Sequence, residues 1–197
     1  MSVTSPEADT LTAIRRAAAR LFYEHGYNAT TLRQIAADAG LKVGSLYYHI
    51  ASKESLLLDI MCGALDDLHR DVLETIAAHV GEVDRLMVAV ESHIRFHAER
   101  GPEVFVGNTE LRALSNAGRR VVVAKREGYE QFMLGLVEAV VAAGEADSID
   151  PRVHLYSLFA HAAHVAGWFR GEGRIGVADL GRAYAELALR GLGITKH

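Results

Sequence analysis

Two pairs of histidines have spacings that could do chemistry. His93 and His97 are four residues apart, and His161 and His164 are three apart. On a helix each pair projects from one face, and neutral imidazoles so placed could ligate a transition metal. The only cysteine, Cys62, is far from both pairs in sequence, and no second metal-type motif accompanies them. The histidines are therefore read as pocket residues or as satisfied partners at a helix interface, with no metal site expected. Enzymatic chemistry has no foothold of the usual kind. There is no Gly-rich phosphate loop, no G-x-S-x-G elbow and no H-E-x-x-H, the arrangements that hold a phosphate, a nucleophile or a catalytic zinc. Cys62 falls on an amphipathic helical pattern and reads as packing, so no catalytic residue is assigned.

A second group of residues could grip a polyanion. Thr31, Arg33, Lys42, Val43, Gly44, Ser45, Tyr47, Tyr48, His49 and Lys53 lie within 23 consecutive positions. Ser45 and the two tyrosines can donate to phosphate or base. Gly44 permits close backbone approach, and Val43 offers apolar contact to a thymine methyl. Arg33 is the one long donor of its helix. Between Lys42 and Ile50 there is no Arg, Asn or Gln, the side chains that pair bidentately with guanine or adenine. Sequence discrimination would then lean on Arg33, on Val43 and on the shape of the nucleic acid.

These residues need short helices to position them. Leu11, Ile14, Ala18, Leu21 and Phe22 recur at helical steps over 10–24, and Gly26 suits a left-handed helix end. Thr31 with Gln34 has the form of a capping box opening a second helix through Ile35 and Ala36, which Gly40 breaks. A third short helix spans Gly44 to Ile50, with Leu46 and Ile50 facing inward and Lys42, Tyr47 and Tyr48 outward. Ser52-Lys53-Glu54 opens a fourth, long helix in which Lys53 and the helix amides could share one phosphate. Two short helices joined by a glycine-containing turn describe a helix-turn-helix.

The pattern Ala17-Ala18, Leu21-Phe22, Gly26-Tyr27, Thr30-Thr31, Ile35-Ala36, Ala39-Gly40, Gly44-Ser45-Leu46-Tyr47-Tyr48-His49-Ile50, Ser52-Lys53-Glu54 and Leu56 resembles the DNA-binding domain of TetR-family transcriptional regulators. The resemblance implies a helix-turn-helix domain at 1–52 that binds a double-stranded operator. It implies a helical effector-binding and dimerisation domain at 53–197, whose last two long helices, at about 152–170 and 177–190, pair two copies. It also implies a homodimeric, cytoplasmic repressor released from DNA by a small effector, with a metal- or drug-responsive regulator of the same fold as the alternative and a small-molecule enzyme as a remote one.

The rest of the chain reads as helix throughout, giving an all-α protein. Helical patterns run from Lys53 to about Val80, Glu82 to about Glu99, Gly118 to Ala143, a stretch containing Leu155 to Trp168, and Val177 to Leu189. Gly101-Pro102 is read as a helix stop, 103–116 as a mixed segment, and Asp150-Pro151 as a helix start. Glu110-Leu111-Arg112-Ala113-Leu114, Arg126-x-x-Tyr129-Glu130, Gly167-Trp168-Phe169-Arg170 and Leu189-Arg190-Gly191-Leu192 are similar to regulators of fatty-acid and sterol breakdown, which commonly respond to acyl-CoA thioesters. On that resemblance Arg112, Arg119, Arg120, Lys125 and Arg126 could receive the CoA phosphates. Phe96, Phe105, Tyr129, Phe132, Phe159 and Trp168 could line an apolar acyl tunnel. No other cofactor is expected.

Composition sets the outer bounds. Of 197 residues half are apolar and 23% charged, enough for a core and against global disorder. The longest nearly uncharged apolar stretch, Leu155 to Phe169, is shorter than the roughly 18–20 residues a membrane span needs, and no membrane role is expected. The net charge is −4, but residues 1–55 carry six Lys/Arg against five Asp/Glu while the remainder is acidic. That asymmetry is too weak to mark a DNA-binding end; the motifs mark it.

Overall fold

A computed structural model describes residues 6–146, 150–171 and 173–194, with the side chains of 6–8 left aside. The described residues are helical: α1 Pro6–His25, α2 Leu32–Asp38, α3 Val43–His49, α4 Lys53–Ile76, α5 Glu82–Glu99, α6 Gly101–Thr109, a 3-10 turn Leu111–Ala113, α7 Asn116–Ala142, α8 Pro151–Trp168 and α9 Val177–Gly191. No helix among them is long and apolar enough to cross a membrane. The chain divides into two compact units. The first holds the described residues up to Ala64 together with Pro102–Val122; the second holds Leu65–Gly101 and the described residues from Val123 onward.

In the first unit, α1, α2 and α3 share a core of Ile14, Ala18, Phe22, Ile35, Ala36 and Leu46, all fully buried. The α2–α3 turn follows from one glycine. Gly40 takes φ +70°, a region with no steric cost only when Cβ is absent. Its amide and that of Leu41 then bond back to Ala37 and Ala36 at 3.1 and 2.8 Å, a Schellman closure of α2. The segment 102–122 packs here too: the Phe105 ring stands edge-on to Tyr23 at 5.0 Å, and the Ser115 amide donates to Glu54 at 2.8 Å. The start of α4 and the 102–122 segment thus belong to the same compact unit as the three short head helices.

The second unit is organised around α5. Leu86, Val88, Ala89, Val90, Ser92, His93, Ile94, Phe96 and His97 are all buried, which covers more than one helix face and requires neighbours on several sides. α9 and α8 supply two of them. The α9 contact is close because Gly181 has no side chain: a Cβ there would lie 3.0 Å from the Glu91 carbonyl oxygen.

Three boundary expectations are corrected. Gly101-Pro102 starts α6 instead of ending a structure, since proline is at home in a first helical turn where its missing N–H costs nothing. The segment 103–116 is consequently α6 plus the 3-10 turn. α4 ends at Ile76, short of Val80, because 77–80 bury nothing: Val80 is 92% exposed and Gly81 leaves at φ +96°. Asp150 does cap α8, accepting from the Arg152 and Val153 amides.

Candidate nucleic-acid interface and effector site

The loop that carries α2 is fixed before any DNA arrives. Thr30 is buried, and its hydroxyl lies 2.9 Å from the Gly26 carbonyl and 3.1 Å from that of Leu21, closing the end of α1. Lys53 then donates to the carbonyls of Tyr27 and Thr30 at 2.8 and 2.9 Å and sits 4.3 Å from the centre of the Tyr27 ring. Lys53 is expected on a phosphate; in the structure two of its N–H groups bond to carbonyls of this loop. Thr31 has a similar role. Its hydroxyl accepts from the Gln34 amide at 3.3 Å while Gln34 Oε1 accepts from the Thr31 amide at 2.7 Å, the two halves of the capping box.

What the head presents outward is α3 and the start of α2. Leu46 and Ile50 are buried beneath α3, whereas Tyr47 and Tyr48 are 57% and 91% exposed. Lys42 and Gly44 are exposed beside them, and Val43, Ser45 and His49 are half-buried. Arg33 is exposed in the first turn of α2. Among the described residues, Tyr48 and in part Tyr47 are left in water on this seven-residue helix. They form a donor-rich, partly apolar ridge with the dimensions of a major-groove reading element. Arg15 and Arg20, also in this unit, are paired with Asp59 and Asp38.

A second constellation lies inside the second unit. The His93 ring stacks on Tyr129 at 5.6 Å and 10° between planes, on Phe159 at 5.2 Å and 20°, and beside His97 at 4.2 Å. His93 Nδ1 is 2.7 Å from the Tyr129 hydroxyl, and His97 Nδ1 is 2.9 Å from the His93 carbonyl oxygen. His69 of α4 flanks the group, 5.6 Å from Tyr129 and 4.8 Å from Phe132. Phe96 meets His97 edge-on. Burial, and secondarily the neighbouring His97, pushes the His93 pKa well below its usual value. Burial lowers His97 to about 4 against a small opposing effect of the His93 carbonyl. Burial also raises Tyr129 well above 10. His93, His97 and Tyr129 are thus uncharged at neutral pH.

Of the residues expected to receive an effector, Tyr129 and Phe159 lie against His93, Phe96 joins the group through His97, and Phe132 joins it through His69 and Tyr129. Phe105 packs on Tyr23 in the first unit, and Arg112 is exposed on the 3-10 turn of that unit. Trp168 is 52% exposed at the end of α8. Arg126 is half-buried on α7, its pKa lowered by burial. The basic residues are divided likewise: Arg119 and Arg120 belong with Arg112 to the first unit, Lys125 and Arg126 to the second, where Lys125 pairs with Asp66. His161 and His164 are exposed. Among the described residues no three His, Cys, Asp or Glu side chains converge as metal ligands would. His69 was missed because nothing in its local pattern distinguishes it from other polar positions of α4; only the fold brings it to Tyr129.

Residues 14–60 match the family of bacterial regulatory proteins called the tetR family, and residues 79–192 match the tetracyclin repressor-like C-terminal domain. The HTH-type transcriptional repressor KstR2 of Rhodococcus jostii (strain RHA1) is 30% identical over 191 residues, covering 96% of this chain and 94% of that protein. The crystal structure of a tetR-family bacterial regulatory protein from Rhodococcus RHA1 superposes with a TM-score of 0.86 at 28% identity, covering 98% of this chain and 100% of that one. The crystal structure of AibR in complex with isovaleryl coenzyme A and operator DNA has a TM-score of 0.79 at 27% identity, covering 90% and 97%.

Proposed function

Because the chain belongs to the TetR family of bacterial regulatory proteins, we propose that it is a homodimeric transcriptional repressor in the cytoplasm, released from its operator by a small effector. One observation carries the DNA half: Tyr47 and Tyr48 are exposed on a short helix whose other side, Leu46, is fully buried. A single seven-residue helix reads too few bases to hold a site, so two copies are needed, engaging half-sites about 34–36 Å apart.

The dimer surface is α8 with α9. On α8, Val153, Tyr156, Ala160, Ala163 and Gly167 are exposed at steps of three and four, with Trp168 beside them. On α9, Leu187 is 63% exposed and borders a groove of about 310 Å³ shared with α8. A stripe of small and apolar residues at this spacing is what close helix pairing between two copies uses.

The effector class is an acyl-CoA thioester or another apolar molecule. The uncharged aromatic group around His93 suits an apolar body, and AibR, a structural relative, was crystallised with isovaleryl coenzyme A. A regulator in place of an enzyme accounts for the helix-turn-helix.

Two experiments test this reading. Selection of duplexes from a random pool should return an inverted repeat, and Tyr48→Ala protein should return none. A thermal-shift panel of CoA thioesters, free acids, lipophilic cations and divalent metals should show stabilisation by thioesters. Stabilisation by metals or cations alone would transfer the assignment to the metal- or drug-responsive alternative.

A further inference from the structure

Among the described residues of the second unit, His93 is the buried side chain with a polar nitrogen left unspent. It is 3% exposed, and its Nε2 has no hydrogen-bond partner. The rest of the ring is engaged: Nδ1 faces the Tyr129 hydroxyl at 2.7 Å, and the ring centroids of Tyr129, Phe159 and His97 lie 5.6, 5.2 and 4.2 Å from its own. A buried polar atom without a partner costs about as much as a lost hydrogen bond, so its presence calls for an occupant.

The tautomer follows from counting donors. If Nδ1–H donates to the phenol oxygen, then both the Tyr129 O–H and the Nε2 lone pair are stranded in the interior. If the Tyr129 O–H donates to Nδ1, a single group is stranded, the Nε2–H. The second arrangement leaves fewer orphans and has the better acid donating to the better base. His97 Nδ1 must carry its own proton, since the His93 carbonyl can only accept. His93 therefore offers one N–H from an uncharged aromatic setting.

That chemistry chooses among ligands. A metal needs the Nε2 lone pair, which requires the costlier tautomer. A carboxylate would bring a charge beside His93, His97, Tyr129, Phe132 and Phe159, which supply no cation to meet it, because burial holds both of these histidines neutral. A carbonyl oxygen accepts one N–H and carries no charge. We propose that His93 Nε2–H anchors the effector by donating to a neutral carbonyl oxygen on an apolar body, either the thioester carbonyl of an acyl-CoA or a free ketone. The inference rests on the second unit being the effector-binding domain. Phe132, Phe159 and His69, which border the cluster, are half-buried, and a ligand bound at Nε2 would enter past them.

Calorimetric titration of the full-length protein with two matched pairs tests it. Octanoyl-CoA is compared with S-octyl-CoA, the thioether that lacks the carbonyl. Cyclooctanone is compared with methylenecyclooctane, in which CH2 replaces the oxygen. The carbonyl member of at least one pair should bind about tenfold more tightly, the size of one buried hydrogen bond, and the pair that shows it identifies the source of the carbonyl. His93→Phe should abolish the preference. Tyr129→Phe, which removes one hydroxyl from the same shape, should reduce it by freeing Nδ1 to take the proton, and it carries the test if His93→Phe does not fold. Equal binding within both pairs, a preference retained in the variants, or silence from all four probes overturns the carbonyl anchor. The effector reading survives that result if other members of the thermal-shift panel still bind, and fails if none does.

Discussion

Tyr48 and Lys53 are five residues apart and do opposite work. Tyr48 is 91% exposed and touches nothing it needs for folding. Tyr48→Ala should leave stability within about 0.5 kcal/mol and lower operator affinity at least tenfold, read by urea unfolding alongside fluorescence anisotropy. Lys53 holds two carbonyls, so Lys53→Met should lose about 1–3 kcal/mol of stability as well as DNA affinity; a loss of affinity with unchanged stability would return Lys53 to a phosphate. The buried histidines set a pH limit. His93 and His97 are neutral in the folded protein, their pKa values depressed by burial, His97 to about 4 from 6.5. The unfolded chain therefore binds more protons below pH 6.5, and stability falls as pH drops from there toward 4. Calorimetry at pH 7 and pH 5 should show a loss of about 2 kcal/mol for His97 alone, and His97→Gln should flatten that part of the curve. The sequence displayed the His93/His97 spacing, but Tyr129 and Phe159 come from α7 and α8, and no local pattern announces a partner that distant.

At the scale of elements, the short head helices were legible because each has a local signal: the Thr31/Gln34 box opens α2, Gly40 closes it, and Leu46 and Ile50 mark the inner side of α3. The stop at Gly101-Pro102 was misread because a proline in a first helical turn looks the same in sequence as one after a last turn. α5 already ends with the Arg100 amide bonded to Phe96, so the proline serves α6. The contact between α5 and α9 was also illegible, being a matter of one missing methyl group. Gly181→Ala would press a Cβ against the Glu91 carbonyl, which as backbone cannot swing away. We expect about 1–3 kcal/mol of destabilisation by urea unfolding. On the exposed stripe of α8, Ala163→Glu should convert the dimer to monomer in sedimentation velocity, because two copies would bury like charges, while the helix content is unchanged.

For the molecule as a whole, occupancy of the second unit is expected to govern the DNA affinity of the first. Binding alone does not accomplish this. The effector must favour the conformation that holds DNA poorly, and a ligand with equal affinity for both conformations shifts nothing however tightly it binds. The first unit contains 102–122 as well as the three head helices, with Glu54 taking the Ser115 amide and Glu110 Oε1 accepting from the Tyr27 amide at 3.4 Å. Anything that displaces that segment therefore acts on the loop that positions α2 and α3. The most direct test is titration of the selected operator with the wild-type protein, with and without a saturating amount of the panel member that stabilises it most. At least a tenfold loss of operator affinity is expected when the effector is bound. Unchanged affinity, with calorimetry showing the site fully occupied, would contradict it.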